Sequence, residues 1–305
     1  MRRASLAWIA ALPIVGVVEL GAQLFFERRA PDAIDYEALR GPFAALHQPG
    51  DLVVVEPRWA EPHARRVLGD VAFPLEVVAR PDDERFARAV VIALPGASGE
   101  LDGFRERSAQ GVGPFTLHLL ERTDPRPVLF DFVGALGPAR ATVDDGDPCR
   151  FSDRAPVVTG GLFGSPTRPR ARFLCGRGEL DVGVTVLADE RYLPRRCIAA
   201  APLPEAGEPR RIRFAGVTLG GRIVGHTGVH VMTDRERRGP GVTLEVSVDD
   251  EVLGAVEHAP GDGWRRFELS TGRHAGRADA RVVFTIVADA AYEGALPFCF
   301  EAVTQ

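Results

Sequence analysis

From Arg172 onward the chain shows almost no helical periodicity and breaks into short apolar runs separated by glycine, proline and acidic turns. Period-two alternation is clearest in Val242–Val248, where Val242, Leu244, Val246 and Val248 share one face, and again at Val282, Phe284 and Ile286. Side chains on a strand alternate between faces, so these runs are half-buried strands rather than helices. Candidate strands follow one another from Arg172–Cys175 to Pro297–Val303, among them Arg222–Val224, Val229–Met232 and Arg266–Leu269. Eight or more strands at this spacing predict a β-sandwich of jelly-roll type over residues 170–305. The 33 glycines and 24 prolines fit a loop-rich protein of this kind rather than a helical bundle.

Upstream the pattern differs. Asp51–Glu56 and Ala89–Leu94 are continuous apolar runs of the kind found in fully buried strands, and Trp59–Leu68 between them has helical spacing with Gly69 as a stop. A second short helix is expected at Asp82–Arg88 and another at Glu100–Ser108, with strands at Phe115–Glu121 and Val128–Val133. Strand–helix–strand alternation predicts a small α/β, Rossmann-like domain with a parallel or mixed sheet over residues 50–140. Residues 141–169 then form a turn-rich bridge.

At the front, residues 4–26 carry a single charge, Glu19. As a helix this segment would measure about 34 Å, enough to cross a bilayer core. A transmembrane anchor at 4–26 is therefore expected, with the amino terminus inside; Glu19 either snorkels to the outer interface, the favoured reading, or faces a membrane partner. A cleaved signal peptide is the rival explanation, and either one exports the rest of the chain. The expected fold class is thus α+β multidomain: a transmembrane helix, a small α/β domain and a carboxy-terminal sandwich. The expected location is a bacterial inner membrane, single pass, with the bulk of the chain periplasmic.

All four cysteines, Cys149, Cys175, Cys197 and Cys299, lie beyond that segment, and none forms a CxxC pair. Sequence order favours Cys149–Cys175 and Cys197–Cys299 among the three possible connectivities, in an oxidising compartment. The chain has no lysine and no asparagine, so a Walker lysine, a Schiff-base lysine and a glycosylation sequon are excluded. A net charge of -5 gives no electrostatic reason for nucleic-acid binding.

Chemistry-bearing motifs are sparse. Gly96-Ala-Ser98-Gly99 follows a strand, but a nucleophile elbow needs GxSxG spacing, so Ser98 reads as a turn residue. Asp145-Gly-Asp147 has the spacing of a divalent-cation site and reads as a solvated loop; Asp249-Asp250-Glu251 reads as a hairpin turn. His226 and His230 on one strand would lie about 13 Å apart, too far to share a metal. With Arg222 and with Trp264, which follows a Gly-Asp-Gly turn, they form the candidate ligand-binding set: Arg222, His226, His230 and Trp264. No catalytic residue, metal or cofactor is expected.

Two resemblances add to this. The segments GDLVVVEPRWAEPHARRVLGD and ARAVVIALPGA resemble the accessory extracytoplasmic α/β domain of bacterial lipid-linked glycosyltransferase-type proteins. The tail, from GVTLEVSVDDEVLGAVEHAPGDGWRRFELSTG to LPFCFEAV, looks like galactose-binding-like jelly-roll modules. Together they imply a non-catalytic binding or accessory protein for envelope glycan or glycolipid assembly. The alternative is an envelope enzyme, either a cation-dependent glycosyl transferase through Asp145 and Asp147 or a serine hydrolase through Ser98.

Overall fold

The computed structural model describes Pro13 and residues 15–21, 31–160, 167–176, 181–294 and 296–305. The chain divides into two compact units: Met1–Ala72 with Arg88–Thr123, and Phe73–Ala87 with Asp124–Gln305. Among the described residues, strand at 40% far outnumbers helix at 18%, so the fold is mostly β rather than the α+β assembly expected.

Most of the span expected at 4–26 lies outside the described residues; its described part, Pro13 and residues 15–21, is helical. Among the described residues no helix is long and apolar enough to cross a membrane. That finding corrects the expected transmembrane helix, the single-pass inner-membrane location and the membrane partner reached through Glu19.

The first unit carries α1 (Ala33–Ala38), α2 (Arg40–Leu46) and α3 (Glu61–Ala72) with strands β1 (Leu52–Glu56), β2 (Arg88–Ala93), β3 (Phe104–Val112) and β4 (Phe115–Arg122). Asp32 caps α1 by accepting the Ile34 and Asp35 amides, which satisfies N–H groups that the first turn leaves open. The sheet runs β1-β2-β4-β3, and only β1 and β2 are parallel. A Rossmann-like arrangement would need further parallel crossovers. Here the segment expected to supply one, Glu100–Ser108, mostly forms β3, an edge strand hairpinned onto β4. Its charged side chains face outward on both sides, so no burial pattern marks it as a strand.

The second unit is a pair of antiparallel sheets. One has β15 (Arg265–Ser270), β12 (Arg222–Val229), β17 (Phe298–Thr304), β10 (Pro194–Ala199) and β9 (Gly183–Ala188) in that order, with β5 (Phe130–Asp131) also on β17. The other runs β14 (Glu251–His258), β13 (Val242–Val248), β16 (Ala280–Ala288), β11 (Arg210–Val217) and β6 (Ala141–Asp144). β7 (Arg150–Ser152) pairs with β8 (Arg172–Leu174) and with neither sheet, though Phe173 of β8 sits in the shared core. Inward residues of both sheets build one core, in which Phe132, Phe214, Phe284 and Phe300 meet edge to face or tilted at 4.8–5.0 Å. Phe298, Phe300 and Ala302 of β17 join this core, so Cys299, Glu301 and Val303 point to the opposite, outer face.

Residues 73–87 form a strap over that outer face. It opens with α4 (Leu75–Val78), and it is tied down by the Arg196 amide on the Ala79 carbonyl and by Arg195 Nη1 on the carbonyls of Arg80 and Pro81. No helix forms at Asp82–Arg88, where one is expected. The Asp82 carboxylate accepts the Glu84 amide in a local turn, and Glu84 and Arg85 are spent on sheet residues far along the chain.

Cys149 is bonded to Cys175 and Cys197 to Cys299. Cys197 and Cys299 lie on the outer face with Leu187, and Trp264 packs against them.

Candidate functional site

The end of the sandwich where the β9–β10, β12–β13 and β14–β15 connections meet carries the richest chemistry. Its first element is the turn from Asp189 to Leu193. Asp189 is buried, and its Oδ1 accepts the Arg191 and Leu193 amides while Oδ2 accepts Arg195 Nε at 2.9 Å. Pinned this way, the turn holds Tyr192 at φ 60°, a left-handed conformation that bulky residues rarely adopt. Tyr192 is 50% exposed, and the Arg235 guanidinium lies over its ring at 4.8 Å and donates to its hydroxyl.

Arg235 belongs to α5 (Val231–Glu236), a short helix where a strand at Val229–Met232 is expected. His230 explains the switch: it is the N-cap, and its Nδ1 accepts the Met232 amide at 3.3 Å. Asp234 of α5 is buried and accepts the amides of Gly261 and Gly263 through one oxygen, holding the β14–β15 turn. Glu190 Oε2 accepts the Trp264 amide at 3.2 Å and sits against Gly263. Three loops are thus tied together by the buried Asp234 and the half-buried Glu190, with Tyr192 presented outward.

Of the four residues singled out in the sequence, none lies open at this surface. Trp264 stacks on His226 with ring centroids 5.7 Å apart and 6° between planes. Its ring also covers Gly228, where an added Cβ would fall 2.4 Å from Cε3, and its indole nitrogen is buried without a hydrogen-bond partner. His226 is buried on the outer sheet face; its Nδ1 donates to Glu301 Oε1 at 2.7 Å, and Asp82 lies 3.6 Å from Nε2. Arg85 donates to the other Glu301 oxygen at 2.7 Å, so the strap closes over this cluster. Beside it a pocket lined by Arg80, Arg85, Arg196 and Glu301 has room for about one water molecule. Arg222 pairs with Glu268 at 2.9 Å on the same face. His226 and Trp264 are therefore brought together, while Arg222 and His230 serve other local partners. Tyr192 carries no signal in the sequence beyond being an aromatic inside the Asp-Glu-Arg-Tyr run 189–192.

The other motifs are engaged structurally. Asp144 pairs with Arg213 and Arg211, and Asp145 lies 3.7 Å from the fully buried Arg210, whose pKa burial lowers to about 10. Asp145 groups with Cys149 and Cys175, but both sulfurs are already in a disulfide. Asp249 and Asp250 occupy a left-handed hairpin turn and pair with Arg277 and Arg281. Ser98 Oγ accepts the Glu100 amide at 3.4 Å, which makes it a turn residue. His118 donates to Glu106 at 2.6 Å and packs against Gly99.

At the core edge beneath the loops, His258 Nδ1 shares a 3.0 Å hydrogen bond with Thr227 Oγ1, and its Nε2 is buried without a partner. Burial holds this imidazole below its ordinary range; Asp262 and Asp234 oppose the shift and Arg265 reinforces it. An unfolded imidazole titrates near about 6.5, so just below that value the unfolded chain binds more protons than the folded one. Stability from His258 is complete above this pH and is lost as pH falls through it. Denaturant midpoints of the wild type should drop between about pH 7 and 5 more steeply than those of His258→Gln. Parallel profiles would show that the imidazole is free to ionise in the fold.

No protein-family model and no curated protein matches the chain. Among solved structures, it is similar to the CBM51-2 and INT domains of Clostridium perfringens ZmpB in complex with GlcNAc, at 12% identity and TM-score 0.30, covering 66% of this chain and 40% of that one. Xylanase10C of Cellvibrio japonicus in complex with xylopentaose matches at 9% identity and TM-score 0.28 over 57% of this chain and 28% of that one. The secreted serine protease VesC of Vibrio cholerae matches at 17% identity and TM-score 0.23 over 36% of this chain and 20% of that one. The chain thus spans between 20% and 40% of the length of these structures. At such scores the likeness is partial, and the chemistry of the site rests on its own residues.

Proposed function

We propose that the sandwich unit is a non-catalytic carbohydrate-binding module with an accessory role, and that it takes a sugar ring at the loop end carrying Tyr192. The observation that carries this is a half-exposed aromatic held in a strained backbone by a buried carboxylate. Such strain persists only where the surroundings enforce it, and it clusters at binding and catalytic sites. An amphipathic ring offers a sugar an apolar face for its C–H groups, while the Arg235 guanidinium supplies polar contacts at its rim. The two disulfides support a life in an oxidising compartment, where extracellular glycans are met.

A glycan array probed with the full chain tests this. Binding to at least one glycan class is expected, with Tyr192→Ala lowering affinity about tenfold or more and Tyr192→Phe retaining most of it. An array on which no glycan binds, or binding that Tyr192→Ala leaves unchanged, overturns the proposal.

A further inference from the structure

The charges around Tyr192 narrow the ligand, given the carbohydrate-binding role just proposed. Four arginines lie close in sequence to the ring or its contact: Arg191 beside Tyr192 in the turn, Arg235 on α5 and over the ring, and Arg237 and Arg238 directly after α5. The acidic side chains nearby are already committed. Asp234 faces backbone amides, Glu190 accepts the Trp264 amide with Arg191 at 3.6 Å, Glu236 holds Arg238 at 3.2 Å, and Asp262 takes the Ala259 amide and Arg265. Arg235 spends one nitrogen on the Tyr192 hydroxyl, and Arg237, in a left-handed C-cap, lies along Gly261. Neither has a carboxylate partner among the described residues, so both guanidinium charges are open to a ligand.

We infer that the Tyr192 surface selects acidic glycans, with Arg235 and Arg237 receiving a carboxylate or sulfate while Tyr192 receives the ring. A guanidinium presents a planar fork that matches either oxyanion, and charge-assisted hydrogen bonds are about twice as strong as neutral ones. Because the site is exposed, the preference is screened by salt, with a Debye length of about 10 Å at 0.1 M.

The test is calorimetric titration of the full chain with two matched pairs: an oligogalacturonate against the oligogalactose of the same linkage, and a sulfated against an unsulfated galactan fragment. In 20 mM salt the acidic member of at least one pair should bind about tenfold more tightly, and the gap should close as salt approaches about 0.5 M. Preference confined to the first pair identifies a carboxylate ligand, confined to the second a sulfate, and in both the shared oxyanion. Arg235→Gln with Arg237→Gln should erase the preference, while Arg235→Lys keeps most of it. Unchanged thermal unfolding midpoints show that the variants are folded. Neutral sugars binding as tightly as acidic ones, with the double variant unaffected, overturns the charge selection and leaves the module intact. Failure of every glycan to bind overturns both.

Discussion

Replacing Cys197 and Cys299 together by alanine should lower the unfolding free energy of the sandwich by about 4–5 kcal/mol. The bridge closes a loop with a sequence separation of 102, and that loop holds β11 to β16. In the chain-entropy account a cross-link acts by removing unfolded conformations, more so the longer the loop it closes. Both cysteines are wholly buried beside Leu187 and Trp264, so the substitution also trims packed surface. The paired replacement of Cys149 and Cys175 is the internal control. Its separation is only 26, and its expected cost is lower by about 1 kcal/mol. Denaturant titration of the two double variants checks the order. A smaller loss from the Cys197–Cys299 pair than from the Cys149–Cys175 pair would show that loop closure does not set the stability of this unit.

How far the sequence reaches is clear from particular elements. Val242–Val248 and the run through Val282, Phe284 and Ile286 alternate because each strand has one face in the core and one outside, and burial follows that alternation in the first and, apart from the buried Val283, in the second. Phe104–Val112 defeats the same logic: it is an edge strand whose charged residues meet solvent on either side, and its composition suits a helix equally well. Val229–Met232 fails for a different reason. Its apolar residues fit a strand, but the His230 cap starts a helical turn, and a six-residue helix is too short to leave a periodic trace. In the candidate site, His226 and Trp264 could be singled out as residue types, but their stacking follows from the pairing of β12 with β15. Tyr192 was invisible because its prominence comes from the Asp189 carboxylate fixing the turn, a contact that no spacing rule encodes. The strap was equally hidden, since Arg85 finds Glu301 216 residues away.

That contact leads to the second large effect. Glu301 is 2% exposed and accepts hydrogen bonds from both Arg85 and His226. Truncating it to alanine leaves the Arg85 guanidinium facing a hole, with Nε already buried and without a partner. Removing one member of a buried ion pair costs about 3–5 kcal/mol, because the remaining charge keeps its desolvation penalty and loses its compensation. The same reasoning predicts that Glu301→Leu combined with Arg85→Met regains more than half of that loss, since no charge is then stranded. Hydrogen exchange locates the damage. The Arg196 amide is held by the Ala79 carbonyl of the strap, so its protection should fall in Glu301→Ala while that of core amides such as Phe284 falls only with global stability. A loss below about 1 kcal/mol, with Arg196 still protected, would mean that water reaches Glu301 in the native state and that the backbone contacts alone hold the strap to the sheet.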